Sequence, residues 1–129
     1  MRRASLAIRI LFACCLLIAT ANHIHADVQH GLLWDYGYGP DAHLLSRVFW
    51  GALTFFDPIA ALLLFVKPKA GIAMTAAIIL IDVGHNAYYV ALKQQWLEPF
   101  YLSQVGFLSI VLLLSPIAWY GLQQSKAAA

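Results

Sequence analysis

The stretch IDVGHNAYYV, residues 81–90, puts an aspartate, a histidine, an asparagine and two tyrosines inside a long apolar run. Asp82, His85, Asn86 and Tyr89 stand at i, i+3, i+4 and i+7, so at 3.6 residues per turn they share one face of a helix. Ala73, Ala77, Gly84, Ala87 and Ala91 lie on or near the opposite face. Small residues let helices approach closely in lipid. A helix with a polar face and a small-residue face is expected to touch protein on both sides, at the centre of a bundle.

The surroundings identify the solvent. The chain has 129 residues, 62% of them hydrophobic and only 11% charged, with a mean hydropathy of +0.74. A soluble domain of this size needs more polar surface than that, and lipid is the solvent that fits. The net charge is +2, with no basic block or recognition motif, so nucleic acid is excluded as a partner. Cys14 and Cys15 are the only cysteines, and adjacent cysteines do not form an ordinary structural disulfide.

Four apolar runs follow, at about residues 4–21, 44–66, 72–92 and 100–122. Each is near the ~20 residues that cross ~30 Å of hydrocarbon. Short connections at 67–71 and 93–99 make the second, third and fourth runs antiparallel neighbours. The fold class expected is all-α: a polytopic membrane four-helix bundle in a single domain over residues 1–129. The first run, with Arg2, Arg3 and Arg9 before ATA at 19–21, also has the layout of a cleaved secretory signal. A retained first helix completes the bundle.

Basic residues set the orientation. Arg2, Arg3, Arg9, Lys67, Lys69 and Lys126 fall on one side, Arg47 and Lys93 on the other. Both termini are therefore expected in the cytoplasm, in a bacterial inner membrane. Trp34, Tyr36, Tyr38, Trp50 and Trp96 read as an aromatic belt at the outer boundary, and Trp119 and Tyr120 as one at the inner boundary.

Intramembrane ionisable groups are expensive and mark function. Counted from the inner ends, Asp82 is about 12 residues deep and Asp57 about 10, roughly 18 and 15 Å. Two carboxyls at similar depth on neighbouring helices share a proton or bracket a cation. The candidate catalytic set is therefore Asp57, Asp82 and His85, with the two aspartates at the floor of a polar cavity and His85 in its wall. Asn86, Tyr89, Gln104, Trp50 and Asp27 are the candidate ligand-binding residues. Each polar group also has a plainer role as interhelical glue, and Asp41 as the cap of the second helix.

Three function classes remain. The first is a pocket for a small amphiphilic or lipid-like ligand, with proton transfer by a neutral carboxyl as its catalytic version. It needs no cofactor. The second is haem or transition-metal binding, with His23, His25, Asp27 and His30 as ligands. On a helix His23 and His25 point apart, so joint ligation requires an extended segment. The third is an accessory subunit of a larger membrane partner; transport by so small a bundle would require a homo-oligomer.

NHIHADVQ at 22–29, FFDPIAALLLF at 55–65 and VKPKAG at 66–71 give the chain a family resemblance. It resembles the EXPERA group of four-helix membrane proteins, which includes the sterol isomerases and sigma-2 receptors. The resemblance implies a sterol or amphiphilic-amine pocket lined by an acidic residue after the first helix, matched by Asp27, and one in the second, matched by Asp57. The second helix carries aspartate where the group has glutamate, and the segment between the first two helices is short.

Overall fold

A computed structural model of the chain describes residues 1–127, with side chains to Gln124; the Lys126 side chain lies outside the described residues. It is an all-α bundle of four helices: α1 (Arg2–His30), α2 (Leu44–Val66), α3 (Pro68–Lys93) and α4 (Pro99–Ala127). All four are long and apolar enough to cross a membrane. The shortest, α2, has 23 residues, or roughly 35 Å at 1.5 Å per residue.

The bundle is a ring. Helix α1 packs on α2 and α4, and α3 packs on the same two from the opposite corner. Phe12, Leu16, Ala60, Leu64, Ile79, Val111 and Ala118 fill its middle. Large apolar side chains also point outward on every helix, among them Ile18, Leu62, Leu80 and Leu113. That inside-out surface suits lipid. Polar groups within the apolar helices bond to backbone: Thr20 and Thr75 donate to carbonyls one turn back, and Ser5 Oγ donates to the Ala118 carbonyl, tying α1 to α4.

Arg9 has a backbone role of the same kind. Pro68 opens α3 and has no N–H, so the Leu64 carbonyl four residues earlier lacks its helical donor. Arg9 Nη1 donates to that carbonyl at 2.7 Å. A buried carbonyl and a half-buried guanidinium thereby satisfy each other.

The single residue Lys67 separates α2 from α3, and this tight turn depends on Gly71. A Cβ at Gly71 would overlap the backbone of Leu63 and Leu64. At Gly84 a Cβ would meet nothing within 4 Å. Gly71→Ala is expected to destabilise the protein by about 1–3 kcal/mol in detergent unfolding. Gly84→Ala is expected to be neutral or stabilising by up to about 1 kcal/mol. A loss at Gly84 as large as that at Gly71 would mean that the Gly84 face packs against a second chain.

Three expectations need correction. Helix α3 is one corner of the ring and not its centre. Its small-residue face, with Ala73, Ala77 and Gly84, is exposed rather than packed, because α2 and α4 both bind the other side. Helix α1 continues through HIHAD to His30 instead of ending near residue 21. Asp41 does not cap α2; its carboxylate lies 3.6 Å from Lys93 Nζ, and His43 is the capping residue, without a side-chain bond.

Candidate functional site

A cavity of about 520 Å³ opens between the helices at the end covered by residues 31–43. Its wall is mostly apolar. Polar groups reach it from every helix: His23 from α1, Trp50 and Asp57 from α2, Asp82 and Asn86 from α3, and Gln104 from α4. Among the described residues no lysine, arginine or glutamate lines it.

Asn86 is the hub of its polar wall. It is buried, and its Oδ1 accepts from Trp50 Nε1 at 2.8 Å. Its Nδ2 donates to Asp82 Oδ1 at 2.8 Å and to Gln104 Oε1 at 3.1 Å. One amide thus joins α2, α3 and α4. The i,i+4 spacing of Asp82 and Asn86 makes the first of these donations possible.

Asp57 is the less satisfied carboxyl. It is only 3% exposed, and its buried Oδ1 has no hydrogen-bond partner among the described residues. Its Oδ2 lies 3.8 Å from His23 Nε2. Asp82 is within electrostatic reach of it. Two neighbouring carboxyls with no lysine or arginine among the described residues of the wall, and only the His23 imidazole as a basic group, carry at most one charge between them without a strong penalty.

The other side of His23 faces the covering segment. Its Nδ1 lies 3.1 Å from the Tyr36 hydroxyl. Burial, and after it the charges of Asp27 and Asp82, push the Tyr36 phenol up to about 12. The phenol therefore keeps its proton; when it donates to Nδ1, the imidazole proton sits on Nε2, toward Asp57. Tyr36 has φ 52, an unusual conformation for an aromatic residue. It persists because the segment is held at several points. Asp35 Oδ1 accepts from the Gly37 N–H at 2.8 Å, and Arg47 donates to the carbonyls of Ala42 and Gly39 at 3.1 Å each. The Tyr38 hydroxyl donates to Gln95 Oε1 at 3.0 Å. Beneath the segment, Gly51 gives the Leu32 carbonyl room that any side chain would fill.

Of the residues expected at the site, Asp57, Asp82, Asn86, Gln104 and Trp50 line this cavity. His85 does not. Its ring packs against Phe49 at 4.7 Å and Tyr89 at 5.5 Å, on the side of α3 toward the start of α2. Its Nε2 is buried without a partner. Tyr89 is fully buried beside it and donates to Ser46 Oγ at 2.6 Å, a structural bond. Asp27 lies outside the cavity and accepts from Thr54 Oγ1 at 2.6 Å. His85 thus leaves the cavity wall, and His23, expected only as a metal ligand, takes a place beside Asp57.

Tyr36, Tyr38 and Trp50 also belong to the cavity wall and not to a simple belt. Their rings are close, with Tyr36 5.2 Å and Tyr38 5.9 Å from Trp50. The metal ligands are not gathered. His23 and His25 sit on one continuous helix, roughly 200° apart around its axis. Among the described residues no three His, Cys, Asp or Glu side chains meet where they could hold a metal ion.

The helical stripe Phe12, Leu16, Ala19, His23 was the signal for His23. Continued past residue 21, the buried face of α1 carries it directly into the bundle. Comparison of the chain with protein-family models, curated proteins and solved structures finds no match.

Proposed function

We propose that this chain is a multi-pass membrane protein that binds a small amphiphilic cation in the cavity among its helices. The observation that carries this reading is the buried Oδ1 of Asp57, unpartnered among the described residues, in a wall with a second carboxyl and no lysine or arginine among them. A cation supplies the missing charge. The aromatic rings of Tyr36, Tyr38 and Trp50 suit its ammonium group, and the apolar remainder of the wall suits a hydrocarbon body. Kinship with the EXPERA group fits this reading at Asp57 and not at Asp27. A proton-transfer activity, the catalytic version, would use Asp57 with His23. The excess of basic residues at the end bearing the termini supports a cytoplasmic location for both, in a bacterial inner membrane. The cavity then opens away from the cytoplasm.

Benzyltrimethylammonium and its uncharged carbon analogue neopentylbenzene have the same shape and test the charge directly. In nanodiscs the cation is expected to bind about tenfold tighter or more, equivalent to about 1.4 kcal/mol. Equal or weaker binding of the cation overturns the reading.

A further inference from the structure

We infer that a cation binds in the cavity by exchange for a proton, the one shared by His23 and Asp57. The inference rests on the ligand reading above and adds the means by which the site is regulated. His23 Nε2 and Asp57 Oδ2 stand 3.8 Å apart, and Asp57 Oδ1 has no partner among the described residues. Whether the proton rests on the imidazole or on the carboxyl, the pair holds one, and its net charge is zero or near it. A cation brought to the free Oδ1 requires the carboxylate form and disfavours a protonated imidazole beside it. Both effects expel the same proton. Charge in the cavity is then conserved: one positive charge arrives and one leaves.

Of the other titratable groups around the pair, Asp82 is the second carboxyl that can hold a proton, and the Asp57→Asn variant below separates it from the pair. From α1 there are Cys15, in the wall, and Asp27, engaged by Thr54. From the covering segment there are Tyr36 and Tyr38, both phenols. Helix α3 contributes Asp82, held by Asn86, and α4 contributes no titratable side chain to the wall, only the amide Gln104 and apolar or hydroxyl groups.

Benzyltrimethylammonium has a fixed charge, so any proton released on binding comes from the protein. Titration of the whole protein in nanodiscs, in two buffers of different ionisation enthalpy, counts those protons. About one per bound cation is expected, and affinity is expected to rise with pH by up to about tenfold per unit while the pair is protonated. Binding with no proton release and a flat pH profile overturns the exchange but leaves the ligand reading standing. No binding at any pH overturns the ligand reading itself. In Asp57→Asn the pH dependence is expected to vanish; an unchanged slope would assign the proton to another group and overturn the inference. If that variant binds too weakly to titrate, His23→Gln decides. Its pH profile is expected to shift by about one unit or more, and a profile superimposable on the original removes the pair.

Discussion

Asp57→Leu is expected to give a protein that is more stable than the original and that no longer binds cations. The two effects have one cause. Asp57 is 3% exposed, its Oδ1 is unpartnered, and His23 stands 3.8 Å from its other oxygen. Such a carboxyl has lost its hydration and recovered little in exchange. Leucine removes that penalty, and the adjoining cavity of about 520 Å³ accommodates its extra volume. Replacing a poorly compensated buried ionisable group by a hydrophobic one is worth about 1–3 kcal/mol. Binding moves the other way. Removing the carboxylate that faces a desolvated cation costs about 3 kcal/mol or more, a loss on the order of a hundredfold in affinity. Unfolding in mixed detergent and calorimetric titration with benzyltrimethylammonium measure the two. A less stable Asp57→Leu protein would mean that the carboxyl serves packing rather than a ligand.

Asn86→Leu is expected to have the largest effect on stability. The substitution removes one acceptor and two donations at once, from Trp50, to Asp82 and to Gln104. It also leaves Trp50 and Asp82, both buried, without those partners. Hydrogen bonds between membrane helices average only ~0.6 kcal/mol each, which for the two interhelical bonds, to Trp50 and Gln104, would predict a loss of roughly 1 kcal/mol. Partners left unsatisfied raise this, because each costs about 1–3 kcal/mol when it cannot reach water. A loss of about 3–4 kcal/mol is therefore expected, with a lower unfolding midpoint and quenching or shift of the Trp50 fluorescence. Asn86→Asp, which keeps the acceptor toward Trp50, is expected to lose less when protonated. A change under about 1 kcal/mol in Asn86→Leu would show that water in the cavity replaces all three partners.

The same four polar residues of α3 show how far helical spacing reads a site. Asp82, His85, Asn86 and Tyr89 do share one broad face, and that face does turn into the bundle. A face more than 100° wide nevertheless spans two environments. Asp82 and Asn86, about one helical turn apart, reach the cavity, whereas His85 and Tyr89 sit toward the start of α2 among Phe49, Trp50 and Ser46. Spacing within one helix does not say where along that arc the neighbouring helix lies. His23 was obscured for a different reason. The polar run HIHAD lowers hydropathy and looks like the end of a span, yet α1 continues because its hydrogen bonds are internal and Ala26 still finds a buried place. The covering segment was read as turns and belt residues. Its path back over the helix ends, which brings Tyr36 to His23, depends on the close fit of Leu32 on Gly51 and on Arg47 holding two carbonyls.

Sequence by itself determined that this chain is four apolar helices of membrane-crossing length, with carboxyls on the second and third. Length, hydropathy and the 3.6-residue period suffice for that, because each is a property of one helix considered alone. Tertiary structure decided that the helices form a ring with α3 at a corner, that alanines and Gly84 face outward, and that His23 rather than His85 stands beside Asp57. Those outcomes depend on the rotation of each helix about its axis. In a chain with apolar groups both inside and outside, burial does not fix that rotation from sequence; the close approach at Gly71, the Arg9 bond to Leu64 and the contacts of Asn86 across three helices do.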